Sequence, residues 1–100
     1  MLVLKSAAEV AQELAARVRA RRLRRGWTQV ELAQRAGVRP ATYILFEQTG
    51  QISLTRLLKI LDVLDLLDQF DQIGRHEDLA AMKLADVTSP VRKRGSSKRI

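Results

Sequence analysis

Residues 28–37 read TQVELAQRAG, and that decapeptide leaves room for little except one short helix with fixed ends. Thr28 followed three residues later by Glu31 has the form of a capping box, in which each side chain satisfies the other residue's backbone N–H. Val30, Leu32, Ala33 and Ala36 are expected to be the helix's buried positions. Gly37 stands just past the end, where a left-handed residue closes a helix without steric penalty. The next helix has to begin almost at once, because Pro40 suits a first helical position, where its missing N–H would be unpaired anyway. Tyr43 and Phe46, three residues apart, give that second helix its inward edge.

The flanking segments extend the same pattern. Ser6 and Glu9 form another capping box, so a helix is expected from there, with Val10, Leu14 and Val18 as its apolar stripe and Gly26 as its stop. Trp27 turns back onto the core. After the turn QTGQIS, Ser53 caps a fourth helix whose apolar face is Leu54, Leu57, Leu58, Leu61 and Leu64. Leu66, Leu67, Phe70 and Ile73 predict a short fifth helix ending near Gly74. Residues 76–86 are weakly helical, and the segment from Thr88, TSPVRKRGSSKRI, has too little apolar content to fold and is expected to be disordered. The boundaries are therefore an N-terminal arm at 1–8, a helical domain at 9–75, and an extension with a basic tail at 76–100.

Composition narrows the possibilities. The chain of 100 residues is 46% hydrophobic but only 4% aromatic, and its apolar residues are mostly Ala, Leu, Val and Ile, a mixture that favours a small all-α protein. There is no cysteine, which removes disulfide scaffolds, Cys-based zinc sites and thiol nucleophiles and agrees with a reducing cytosol. MLVLKSAAEV has neither the apolar core nor the cleavage site of a signal peptide, and no apolar run approaches the roughly 18 residues of a membrane span. A cytoplasmic location and no membrane partner are the expectations. The net charge of +7 is unevenly placed. Residues 1–27 hold seven basic and two acidic side chains, residues 28–50 balance, residues 51–86 hold four basic and seven acidic, and residues 87–100 hold five basic and none acidic. A basic front, an acidic middle and a basic tail suit a protein that binds a polyanion.

Two short helices joined by a tight glycine-containing turn make a helix-turn-helix, whose second helix enters the DNA major groove. Ala33 is small where the helices cross closely, and Val38 and Phe46 are apolar to fix the crossing angle. Gln29 has no such duty. Placed directly behind the cap, its side chain points outward to a phosphate or to an adenine edge, which glutamine binds bidentately.

RRGWTQVELAQRAGVRPATYILFEQTG resembles the DNA-binding domain of the Xre/Cro–repressor helix-turn-helix family. The likeness is carried by Arg22, Gly26, Trp27, Thr28, Gln29, Leu32, Ala33, Ala36, Gly37, Val38, Thr42, Tyr43, Phe46, Glu47 and Gly50, and it covers about residues 10–73. The fold it implies is all-α: a five-helix lambda-repressor-like domain with a basic, disordered C-terminal tail. The continuation FEQTGQISLTRLLKILDVLDLLDQF is similar to HipB-type regulators, the antitoxins of toxin–antitoxin pairs whose partner is a HipA-type serine/threonine kinase. The resemblance implies a homodimeric repressor that binds a near-palindromic operator in double-stranded DNA and associates with the bacterial nucleoid when bound. It places Gln29, Arg39, Ala41, Thr42, Ile44 and Leu45 at the groove, and Arg22, Thr28, Ser53 and Arg56 near phosphates. Two positions depart from the family pattern. Arg39 replaces the usual Ser or Thr cap of the recognition helix, and Ile44 and Leu45 replace polar or basic residues. The latter pair suits thymine methyls or a protein interface equally.

Other features carry less. The leucine run of the fourth helix belongs to the core, with surplus leucines and Phe70 offering a dimer seam. His76 has no partners at ligand spacing and reads as a surface residue. Asp62, Asp65, Asp68 and Asp71 recur every third residue, a spacing that drifts around a helix and suits a solvated face or a partner contact rather than a metal. No nucleophile–base set and no glycine-rich phosphate loop is present, so neither catalysis nor a cofactor is expected. The tail RKRGSSKR suits either non-specific phosphate contacts or folding on a partner. Sequestering a toxin, with DNA binding secondary, and acting as a repressor without a toxin are the alternative functions.

Overall fold

The computed structural model describes residues 4–75, and among them every regular element is helical. The order is α1 (Ala7–Arg24), α2 (Gln29–Ala36), α3 (Pro40–Thr49), α4 (Leu54–Val63) and α5 (Leu67–Phe70). The starts of α1, α2 and α4 lie where side-chain oxygens were expected to cap them. Ser6 Oγ accepts from the Glu9 N–H at 3.1 Å while the Glu9 carboxylate accepts from the Ser6 N–H at 2.8 Å. Ser53 Oγ accepts from the Arg56 N–H. Because α1 begins at Ala7, Ala7 and Ala8 are helical rather than part of an arm.

Packing follows from which stripe each helix hides. α1 lies across α3, α2 packs on both α3 and α4, and α4 holds α5. Val18, Leu32, Tyr43, Phe46, Ile60 and Leu64 are the largest fully buried side chains, one or two from each of α1 to α4 and the residue that ends α4. At roughly 1.5–3 kcal/mol for each large apolar side chain buried, this cluster is the main source of stability. Gly50, the C-cap of α3, sits where α3 meets α1. Its φ is +80°, and a Cβ added there would lie 2.8 Å from the Ala11 carbonyl carbon.

Several expected core positions are not core. Val30 is 44% exposed, because it lies two residues, about 200° of helix, from Leu32 and so faces away from the Leu32–Ala33–Ala36 stripe. Leu54 is 59% exposed in the first turn of α4, while Ile60, hidden among the leucines, is fully buried. Val10 is also exposed, and the buried stripe of α1 runs instead through Ala15, Val18 and Arg22. The fifth helix is a single turn. Asp65 adopts φ +60° between α4 and α5, and the chain leaves α5 through turns at Asp71 to Gly74, with Ile73 70% exposed. The expectations for His76, residues 76–86 and the basic tail lie outside the described residues.

Candidate nucleic-acid interface

The helix-turn-helix is built by α2, the turn through Gly37, Val38 and Arg39, and α3. At its entrance Thr28 Oγ1 accepts from the Glu31 N–H at 3.0 Å, and the Glu31 carboxylate returns a bond to the Thr28 N–H at 2.7 Å. At the turn Gly37 takes φ +72°, which lets the Val38 N–H donate to the Ala33 carbonyl at 2.9 Å and drives the Val38 side chain into the core. α3 starts at Pro40 without help, since Arg39 makes no side-chain capping bond. That leaves the N-terminal N–H groups of α3 short of an acceptor, a position that favours an anion such as a phosphate.

With Tyr43 and Phe46 turned inward, α3 presents Ala41, Leu45 and Gln48 to solvent, with Thr42 and Ile44 half-buried beside them. The expected groove residues Arg39, Ala41, Thr42, Ile44 and Leu45 therefore lie along one helix and its entry residue. Gln48, whose exposed amide continues that edge, was not foreseen. The signal was available, because it lies three and seven residues after Leu45 and Ala41. Thr28 closes the start of α2. Ser53 and Arg56 come together at the start of α4, where the Arg56 guanidinium also donates to Ser53 Oγ at 3.1 Å.

Arg22 departs from its expected place beside a phosphate. Its side chain is only 8% exposed. Nε and one terminal nitrogen donate to the two oxygens of Glu47 at 2.7 and 3.2 Å, and the other terminal nitrogen donates to the Trp27 carbonyl at 2.7 Å. Gln29 also has a partner, contrary to the expectation that it had no structural duty: its Nε2 donates to Glu47 Oε1 at 3.0 Å. The Tyr43 hydroxyl donates to the other Glu47 oxygen. Arg19, more exposed, stands 3.9 Å from the same carboxylate.

Glu47 is thus the residue that sequence reasoning left without a role. The clue was its place one turn after the inward Tyr43, since a carboxylate on a buried face must find donors. Its side chain is 3% exposed. Burial alone would push the carboxyl up, but the bonds from Arg22, Tyr43 and Gln29 outweigh it and hold Glu47 below its ordinary value. Burial, followed by the Glu47 bond, pushes the Tyr43 hydroxyl well above its ordinary range. The bond to Glu47, against the opposing effect of burial, raises Arg22. This network ties α1, α2 and α3 together just behind the exposed edge of α3. It also commits one amide hydrogen of Gln29, leaving the carbonyl oxygen and the second hydrogen, the pair that an adenine edge takes up.

Nearby, Trp27 is stacked by two guanidinium groups, Arg35 at 4.4 Å and Arg25 at 5.3 Å from the ring centroid. Arg25 further donates to the Leu64 carbonyl and to Asp65, which pins the end of α1 to the end of α4. No group of side chains suited to a metal ion occurs among the described residues, and no described helix is long and apolar enough to cross a membrane.

Residues 18–67, half of the chain, match the family model described as helix-turn-helix, of the Xre/Cro-like type. The chain belongs to that helix-turn-helix family. The matched span begins within α1 and ends at the start of α5, so it contains the whole α2–turn–α3 unit and the Arg22–Glu47 pair behind it. Membership makes this protein a DNA-binding transcription regulator. No curated protein matches the chain.

Proposed function

We propose that this helix-turn-helix protein is a homodimeric, sequence-specific repressor that lays α3 in the major groove of a near-palindromic operator. The observation that supports it most is the division of α3, with Tyr43, Phe46 and Glu47 holding it from behind while Arg39, Ala41, Thr42, Ile44 and Leu45 are left along the other edge. Gln29 meets the same groove from the start of α2, and Thr28, Ser53 and Arg56 lie near flanking phosphates. Two such helices in a dimer reach half-sites about one helical turn, roughly 34 Å, apart. Gln29→Ala and Thr42→Ala test the assignment on a duplex selected from random sequences. Each is expected to weaken specific binding by about tenfold or more, the size of one lost base contact, with helicity retained. Unchanged affinity in both variants would remove Gln29 and Thr42 from the groove.

Likeness of the Phe46–Phe70 segment to HipB-type regulators supports a finer role. In that role the protein is the antitoxin of a HipA-like kinase toxin and represses the operon that encodes both. The exposed Leu45 favours a second reading, in which the same edge of α3 chiefly holds a protein. Co-purification with the product of an adjacent kinase-like gene supports the antitoxin role, and a Leu45→Lys variant separates the two uses. Loss of the kinase with DNA affinity retained assigns Leu45 to the protein partner, and the reverse assigns it to the groove.

A further inference from the structure

Phe70 and Ile73 stand between two apolar grooves with opposite charges on their walls. One groove runs between α1 and the α4–α5 segment, floored by Val10, Leu14 and Leu66, and Arg17 and Arg21 line it. The other is bounded by Leu58 and Leu67, and Asp68 and Asp71 line it. An apolar ridge with cations on one flank and carboxylates on the other is complementary to itself. Turned through half a rotation about an axis at the ridge, a second copy sets its carboxylates against the first copy's arginines, and its arginines against the first copy's carboxylates.

We propose that this ridge is the face on which two copies of the chain pair, with Arg17 and Arg21 of each opposite Asp68 and Asp71 of the other. The inference rests on the homodimer proposed above and names its surface. Ile73 at 70% exposure, together with Leu67 and Val10, gives the apolar centre that a lone domain leaves in water. The four charged residues are exposed. Among the described residues of one chain Asp71 meets a local partner, Arg75, at 2.8 Å, and both of those side chains are more than half exposed. An exposed pair one turn apart contributes little and is readily exchanged for a cross-subunit partner. The opposed charges set the register, while the ridge supplies the burial.

Sedimentation equilibrium on the full chain tests this, with circular dichroism confirming that each variant is helical. The variants are Arg17→Glu with Arg21→Glu, and Asp68→Lys with Asp71→Lys. Each double reversal sets like charges together and is expected to raise the dimer dissociation constant by about tenfold or more. Mixed in equal amounts, the two reversed proteins are expected to pair as tightly as the wild type, because both sets of contacts then join opposite charges. Ile73→Asp, at a position 70% exposed in the single chain, is expected to prevent pairing that no mixing restores. A wild-type dimer that survives all three changes overturns this surface and leaves the homodimer standing. Reversed proteins that dissociate but do not re-pair on mixing overturn the opposed arrangement. A wild type that is monomeric both free and on DNA removes the homodimer and this surface with it.

Discussion

At Glu47 one carboxylate takes hydrogen bonds from three elements: Arg22 of α1, Gln29 of α2 and Tyr43 of its own helix. Removing one member of such a buried ion pair strands the other, which costs about 3–5 kcal/mol. Glu47→Ala is therefore expected to lower stability by that amount, measured as a shift in the urea midpoint at neutral pH. The pH dependence has a definite sign. Because the folded carboxyl titrates below its ordinary value of 4.5, the stabilisation is complete above about pH 4.5 and is lost as pH falls through the folded value. Urea midpoints of the wild type should fall with acidification in that window more steeply than those of Glu47→Gln. Equal slopes would mean that the network contributes nothing to folding. The place of Glu47 one turn after Tyr43 was a local clue to its burial, but its pairing with Arg22 was not legible, although both residues had been matched to the family pattern. Arg22 and Glu47 are 25 positions apart, and no local periodicity reports a charge pair that forms only when two helices cross.

Among the elements, the ends were the legible part. Ser6, Thr28 and Ser53 each place an acceptor oxygen three residues before the N–H it caps, a purely local relation that neighbouring helices do not alter. Positions such as Val10, Val30 and Leu54 were misjudged for the opposite reason, since their burial depends on where a neighbouring helix lies or ends. α3 lacks a cap, and Arg39→Ser supplies one. That variant should gain about 1 kcal/mol in thermal or chemical unfolding while losing DNA affinity, because the guanidinium leaves the groove edge. A gain in stability with no loss of affinity would take Arg39 out of the interface. The two glycine caps make a second comparison. Both have positive φ, but a Cβ at Gly37 meets nothing within 4 Å, whereas at Gly50 it strikes the backbone of Ala11 and Gln12. Gly37→Ala should cost about 1–2 kcal/mol for the left-handed backbone alone, and Gly50→Ala distinctly more. Equal costs would show that α1 yields freely at that contact.

For the whole molecule, charge and exposure divide the work. In the proposed complex Arg19 and Arg24, exposed on α1 and not among the pairing residues, add a general attraction to phosphate that weakens with salt, while the edge of α3 is proposed to hold the side chains that distinguish one base pair from another. The net charge of +7 was plain from the sequence, and so was the helix-turn-helix, because the Thr28–Gly50 stretch fixes its own helices and turn. Which cations stay exposed was not plain, as Arg22 shows, because neighbouring arginines on one helix look alike until the helix is packed. Fluorescence anisotropy with DNA from upstream of the gene, compared with a scrambled duplex across a salt series, tests the central claim most directly. The account predicts a preference for the upstream DNA on the order of 10³-fold that persists as salt rises. Equal binding to both duplexes, collapsing together with salt, would contradict it and leave only a basic surface.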